Sequence, residues 1–133
     1  MKKIKYLVLP LIGLSLSSCT SYASHYKAFL LVTSQKTSEG KISFDEFDGQ
    51  YVFNLKKTSD GEGDIKYHGF LGKGHIDVFY VDPITKQENS LFTISSGELI
   101  DSHKGYVEKG YKVKIVLRSE SKALDGNFTF NVN

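Results

Sequence analysis

The sequence predicts an all-β protein, built as a single β-sandwich of about 7–9 mostly antiparallel strands. Apolar residues recur with a period of two, and Gly and Asp-Gly interrupt the chain at short intervals. No window of the folded part keeps a 3.6-residue apolar period. Strand order cannot be read from these patterns, so jelly-roll and immunoglobulin-like topologies are both open.

The first 18 residues, MKKIKYLVLPLIGLSLSS, have the three-part build of a secretory signal peptide. Three lysines are followed by an apolar run and then by small polar residues. The apolar run is far shorter than the roughly 20 residues that a transmembrane helix needs, and it contains Pro10. We therefore expect residues 1–18 to direct export and then to be removed.

The end of this segment, Leu16-Ser17-Ser18-Cys19, resembles the lipobox of bacterial lipoproteins. The resemblance implies cleavage between Ser18 and Cys19 and attachment of a diacylglyceryl group, carrying palmitate-type chains, to the only cysteine. Two or more acyl chains anchor a protein stably, whereas one binds only marginally. The alternative is an ordinary signal with a coincidental cysteine. The lipobox predicts a protein held by lipid at the cell membrane, facing outside the cytoplasm.

Removal of the signal changes the charge balance. The whole chain has 17 Lys+Arg and 15 Asp+Glu, and loss of three lysines leaves 14 against 15. The mature chain therefore gives no support for nucleic acid as a partner. Its 115 residues fit one domain, in which we expect residues 19–26 to be a lipidated tether of at most about 30 Å and residues 27–133 to form the sandwich.

The first ordered element is ambiguous. Tyr22, Tyr26, Phe29 and Leu30 fall at helical spacing, so a short helix competes with a strand over residues 27–33. We favour the strand. Further strands are predicted at residues 91–95 and around residues 106–107.

Three hairpins are predicted because folding the chain about each places apolar residues opposite each other on one face. These are a turn at Asp48-Gly49 with Phe44 opposite Phe53, a turn at Gly72-Lys73 with Tyr67 opposite Val78, and a hairpin within residues 112–133 with Ile115 opposite Phe130. The third hairpin would direct Lys112, Lys114 and Arg118 outward, either as a solvated sheet face or as a contact for an anionic polymer or lipid headgroups.

The outward face of the second hairpin is the candidate binding patch. It would combine two aromatic residues with charged and imidazole groups, and aromatic residues are enriched at contact surfaces. In the alternative interpretation, another segment covers the phenylalanines and His68 pairs with Asp77 across the strands. The patch consists of Lys66, His68, Phe70, His75, Asp77 and Phe79.

Two metal-site hypotheses have little sequence support, and no metal or cofactor is predicted. The loop at residues 60–64, DGEGD, offers carboxylates to calcium but lacks the spacing of an EF-hand, so a solvated turn is the simpler interpretation. His68, His75 and Asp77 would approach zinc geometry only if the two histidines converged.

No catalytic motif appears, and no catalytic residue is predicted. The sequence lacks a G-x-S-x-G elbow, an H-E-x-x-H pair and a P-loop. Ser102 and His103 are adjacent, but neighbours in a chain seldom face each other.

Beyond the lipobox, residues 72–132 resemble the single-domain lipoproteins of unassigned role found in Firmicutes and related bacteria. The shared order is a Gly-rich turn, an alternating strand, the "LFTI" strand, the "GYVEKG" turn, the "VKIV" strand and a closing aromatic strand. The resemblance implies the sandwich fold and the envelope location, and supplies no catalytic residue.

The sequence therefore predicts a non-enzymatic, membrane-anchored module that binds a glycan, a wall polymer or a protein. The alternative is a small hydrolase or metal-assisted enzyme that uses His68, His75 and Asp77. The ligand and the oligomeric state are not encoded in any pattern that we recognise.

Overall fold

The computed structural model describes residues 23–60, 63–107 and 109–133, with the backbone alone for residues 63 and 99–107. The predicted signal and Cys19 lie outside the described residues. The described chain is all-β, as predicted, and contains no helix long and apolar enough to cross a membrane. Its strands are β1 (His25–Phe29), β2 (Val32–Gln35), β3 (Glu39–Lys56), β4 (Gly63–Lys73), β5 (Ile76–Val81), β6 (Glu88–Ile94), β7 (Gly97–Val107) and β8 (Lys112–Asn131).

Two long strands organise one antiparallel sheet. β3 has 18 residues and β8 has 20, whereas most strands have about 3–10. β8 pairs with β3 along nearly its whole length. On its other side, β8 pairs first with β5 and then with β4. β4 also pairs with β7, and β5 with β6, while β1 and β2 follow each other along the outer side of β3.

One bend runs across the sheet and passes through β3, through β8, between β1 and β2, and between β4 and β5. We define the bend by Leu30 between β1 and β2, Gly49 in β3, Gly74 between β4 and β5, and Asp125 in β8. All four have left-handed backbones, with φ of 53°, 133°, 108° and 56°. Left-handed residues turn the chain sharply, and these four lie around residues 45–49 of β3, where the register of β3 with β8 shifts, so the sheet folds in this region.

The bend divides the sheet into two layers that face each other. The first layer contains β2, residues 39–46 of β3, residues 124–131 of β8, β4 and β7. The second contains residues 49–56 of β3, residues 112–119 of β8, β5 and β6. Phe53 of the second layer lies 5.8 Å from Phe130 of the first, and Phe92 lies 6.2 Å from Phe128, measured between ring centroids. The predicted sandwich is thus a single sheet folded over a shared aromatic core.

The three predicted hairpins are wrong. β4 and β5 both run antiparallel to β8 and do not pair with each other, while the other two segments are the continuous strands β3 and β8. Residues expected to meet side by side on one sheet instead belong to one core cluster between the two layers, because both halves of each long strand direct their apolar residues inward. At the predicted turns the chain bends and does not reverse its direction within one sheet.

The remaining strand predictions are confirmed with changed limits. Residues 27–33 contain no helix: residues 27–29 are the end of β1, residues 30 and 31 connect the strands, and residues 32–33 begin β2. The strand predicted at residues 91–95 is β6, and the one around residues 106–107 is the end of the longer β7.

Candidate functional site

One face of the first layer combines an exposed aromatic ring with many polar side chains. Along β4, Ile65, Tyr67 and Leu71 are buried, so Lys66, His68 and Phe70 point outward. Their register partners on β8 point the same way, as do the next partners on β3. We call this surface the Phe70 face; it comprises Lys66, His68, Phe70, Asn127, Thr129, Asn131, Glu39, Lys41, Ser43 and Glu98.

Phe70 is the aromatic centre of this face, with 44% of the residue exposed. In register it lies between Glu98 on β7 and Asn127 on β8, and Ser43 on β3 follows Asn127 in the same row. The ring is therefore flanked on both sides by groups that form hydrogen bonds. No protein segment among the described residues buries it.

His68 and Glu98 form an exposed hydrogen-bonded pair beside the ring. The distance from His68 Nε2 to Glu98 Oε2 is 2.7 Å, and the two side chains are 52% and 59% exposed. The alternative pairing of His68 with Asp77 is wrong, because β4 does not pair with β5. Each group holds the other in place while leaving its remaining polar atoms open to a ligand.

His75 and Asp77 belong to a different surface, the outward side of β5. His75 Nε2 lies 3.1 Å from Asp77 Oδ1, and its Nδ1 lies 3.3 Å from the Ser95 hydroxyl. The hydroxyl of Thr93 donates to the same Asp77 oxygen at 2.7 Å. These side chains bind one another across the β5–β6 pair.

Phe79 is buried, with only 8% exposed. It lies in a small apolar cluster on the outward side of the second layer, together with Val52, Val81 and Val116. The guanidinium of Arg118 covers its ring at 4.5 Å from the centroid and donates two hydrogen bonds to the Gln50 side-chain oxygen, at 2.9 and 2.6 Å. Phe79 therefore offers no exposed ring to a partner.

The six residues of the predicted patch thus divide into two groups. Lys66, His68 and Phe70 lie on β4 in the first layer. Asp77 and Phe79 lie on β5 in the second layer, and His75 directly precedes β5. The six residues were expected to share one face because a hairpin was predicted between β4 and β5, and that hairpin does not form.

The residues proposed for the enzymatic alternative do not gather in one centre. His68 pairs with Glu98, and His75 pairs with Asp77. Within the described part of the chain, no three His, Cys, Asp or Glu side chains come together as a metal-holding group.

The predicted calcium loop lies partly outside the described residues, since residues 61 and 62 are not among them. Asp60 forms an exposed ion pair with Lys109, at 3.0 Å.

Two residues of the basic stripe predicted on β8, Lys114 and Arg118, bind side chains of neighbouring strands. Lys114 Nζ donates to the side-chain oxygen of Asn54 at 2.7 Å, and Arg118 is held over Phe79. Both are bound to groups on the outward side of the second layer.

A second surface, which the sequence did not single out, is a shallow cleft at the bend. It has a volume of about 350 Å³ and lies between β1, β3 and residue 122 of β8. Phe29 lines it with 57% of the residue exposed, and Lys122 Nζ lies 3.4 Å from Glu46 Oε1. The other lining residues are Lys27, Ala28, Phe47 and Asp48.

Sequence reasoning also missed the residues of the Phe70 face that β3, β7 and β8 supply. Asn127 and Thr129 were assigned to the third hairpin, and Glu98 was not assigned to a strand. Only the true strand order places them beside β4.

No protein-family model matches the sequence, and no curated protein matches it at a significant level. Among solved structures, the chain is similar to a mutant family 29 carbohydrate-binding module complexed with cellulohexaose, at 11% identity, 84% coverage of this chain, 77% of that chain and a TM-score of 0.43. It is also similar to the module TmCBM61 in complex with beta-1,4-galactotriose, at 12% identity, 82% and 83% coverage and a TM-score of 0.43. A cupin-2 domain protein from Shewanella frigidimarina matches at 10% identity, 91% and 95% coverage and a TM-score of 0.36. Values this low assign no ligand and no activity to the present chain.

Proposed function

We propose that the protein is a non-enzymatic binding module whose Phe70 face takes a carbohydrate chain. The observation that supports this function is the exposed ring of Phe70 in the middle of a polar sheet face. A pyranose ring presents C–H groups on its flat side and hydroxyls around its rim. An aromatic ring surrounded by hydrogen-bonding side chains is complementary to both.

The polar groups around Phe70 suit hydroxyl recognition. Asn127 offers both a donor and an acceptor, Thr129 offers a hydroxyl, and Lys41 offers donors alone. Glu98 supplies carboxylate oxygens and is held by His68. Sugar hydroxyls both donate and accept, so this mixed set is better matched to a glycan than to a purely anionic polymer.

The shape of the face favours an extended ligand. β7, β4, β8 and β3 lie side by side, and three strand spacings cover about 14 Å across the strands. An oligosaccharide laid across them would contact Glu98, Phe70, Asn127 and Ser43 in turn.

The enzymatic alternative has less support. Its three residues are distributed over two separate pairs, His68 with Glu98 and His75 with Asp77. General acid–base chemistry needs the groups within reach of one reacting atom.

We further infer that the module is a lipoprotein anchored through Cys19 on the outer side of the cell membrane. The lipobox Leu16-Ser17-Ser18-Cys19 supports this inference. A metabolically incorporated palmitate analogue should label the full chain, and Cys19→Ala should abolish labelling. Equal labelling of both proteins would contradict the anchor.

The carbohydrate proposal is tested with the purified protein and a panel of soluble glycans, including β-linked hexose polymers and fragments of wall polymer. Binding is measured by affinity electrophoresis and calorimetry. For a glycan that binds, Phe70→Ala should raise Kd by about tenfold or more, since it removes the stacking surface. Tyr111→Ala is the matched control, because Tyr111 is also 44% exposed but lies outside the Phe70 face.

Two results would contradict the proposal. One is an equal loss in the Phe70 and Tyr111 variants, and the other is an absence of binding across the panel. Specific capture of a protein that competes at Phe70, with no glycan bound, would show that the face is a protein interface.

A further inference from the structure

We propose that the β1–β2 edge contacts the lipid bilayer, with Phe29, Leu30 and Val32 at the boundary between headgroups and acyl chains. This inference extends the proposed function and rests in part on the proposed anchor at Cys19. Its three residues are not part of the Phe70 face as defined above, although Val32 pairs in register with Ser43 and therefore points to the same side of the sheet. We call these three residues the apolar edge.

The apolar edge concentrates the most exposed large apolar residues of the described chain. Phe29, Leu30 and Val32 are 57%, 63% and 65% exposed. Tyr26, only three residues before Phe29, is 43% exposed. Contiguous exposed apolar surface is unusual in a protein that meets only water, and it marks a contact site.

The backbone at Leu30 holds these side chains outward. Leu30 has φ of 53°. This left-handed conformation is unfavourable for leucine, whereas Gly, Asn and Asp adopt it more readily. The next residue, Leu31, turns back and packs against the core. This local strain projects apolar side chains into solvent, which a folding requirement alone would not favour.

Within residues 23–60, 63–107 and 109–133, no strand covers the outer side of the edge. β1 and β2 pair with β3, and no other described strand pairs with either of them. An uncovered strand edge with apolar side chains carries a risk of association, so an occupant is expected in the working protein.

The position of the anchor identifies that occupant as lipid. The described chain begins at Ala23, four residues after Cys19. Four residues reach at most about 14 Å, so an acylated Cys19 would hold the start of β1 close to the bilayer surface. The apolar edge begins only six residues after Ala23, and apolar residues beside an anchor add buried area to membrane binding.

The charges near the edge balance one another. The cleft beside Phe29 contains Lys27 and Lys122 together with Glu46 and Asp48, and Lys122 pairs with Glu46. We therefore expect the contact to depend on apolar burial and to differ little between neutral and anionic lipid.

The test uses the complete absence of tryptophan from the sequence. Phe29→Trp and Val32→Trp each introduce one fluorophore at the apolar edge. Phe70→Trp is the control, because Phe70 is exposed but lies three strand positions away from β2, on β4. Each full-chain lipoprotein is purified from membranes and reconstituted into phosphatidylcholine vesicles with and without brominated acyl chains.

We expect brominated lipid to reduce the emission of Phe29→Trp and Val32→Trp at least twofold, with a shift to shorter wavelength. Phe70→Trp should change little. If the emission of both edge variants is unaffected by bromine while mass spectrometry shows acylated Cys19, the inference is overturned and the anchor stands. Equal quenching of Phe70→Trp would also overturn it.

The same samples test the lipid contact of the apolar edge and the acylation of Cys19 independently. Quenching at the edge in protein that mass spectrometry shows to be unacylated would support the lipid contact and overturn the anchor. If a partner strand occupies the edge instead, the two Trp variants remain unquenched by lipid, and the inference fails.

Discussion

The ring of Phe44 lies over the backbone of Gly126, its register partner on β8. A Cβ atom placed on Gly126 would overlap Phe44 Cζ. The pair Gly69 and Phe128 repeats this arrangement between β4 and β8. Glycine leaves room for an aromatic ring to lie directly on the neighbouring strand, and such pairs fill the core next to the bend.

We expect Gly126→Ala to lower the free energy of unfolding by about 1–3 kcal/mol, because the added methyl group overpacks the core. Urea denaturation measures the change. Phe44→Leu makes room for the methyl group, so the double variant should lose less than the two single variants together. Strict additivity would show that the ring does not set the requirement for glycine.

Arg118→Ala should destabilise the protein by about 1–2 kcal/mol, since it uncovers Phe79 and leaves Gln50 without two hydrogen bonds. Arg118→Lys should recover only part of the loss, because an ammonium group cannot reproduce the flat guanidinium. The control is Lys114→Ala, which removes one bond to Asn54 and should change stability by less than about 0.5 kcal/mol. Equal effects of the two alanine variants would contradict a covering role for Arg118.

Leu30→Asn should raise the free energy of unfolding by up to about 1 kcal/mol, because Asn tolerates a left-handed backbone better than Leu does. The melting temperature in detergent-free buffer would report it. Val32→Asn is the matched control, since Val32 is equally exposed but is not among the residues with positive φ, and this change should not stabilise. A destabilised Leu30→Asn variant would indicate that Leu30 contributes packing and carries no strain.

Tyr80 should make stability fall at alkaline pH. Burial raises the pKa of Tyr80 above its ordinary value, and the neighbouring Asp82 carboxylate adds to the shift. In the unfolded chain the phenol ionises near its usual value of about 10. The stabilisation is therefore fully present below about pH 10 and is lost as the pH rises through the higher folded pKa.

The measurement compares urea denaturation from pH 8 to 11.5 in Tyr80→Phe and in the unmutated protein. The loss of stability above pH 10 should be smaller in the variant. Tyr111→Phe, which removes an exposed phenolic hydroxyl, is the control for the substitution itself. Superimposable profiles for Tyr80→Phe and the unmutated protein would refute the assignment.

The all-β class and the inward residues were predictable because alternation depends only on which side of a strand faces the core. Phe44 and Phe53 were correctly expected on one apolar face. What alternation cannot decide is whether two such residues meet within one sheet or across two layers. Both arrangements bury the same side chains, so the register test accepted a hairpin where the chain forms a bend.

The glycine signals had the same ambiguity. Asp48-Gly49 and the glycines at residues 72 and 74 permit positive φ, which a tight reversal and a sharp bend both require. A reversal ends a strand, whereas a bend continues it, and no local pattern predicts a strand of 18 or 20 residues.

The candidate site was predictable only within one strand. Lys66, His68 and Phe70 were expected on one side of β4, and they are. Their partners depend on which strands lie beside β4, and β8 is some 60 residues away in the sequence. Long-range pairing of this kind has no local sequence signal, so Glu98, Asn127 and Thr129 came from the structure.

The bend also determines how the molecule can move. Since β3 and β8 each pass through both layers, the two layers are joined by continuous strands and share one core. The two layers should accordingly protect their amide protons together and open together, as one cooperative unit. The Phe70 face is thus preformed, so binding of the proposed glycan would lose little free energy in ordering the protein.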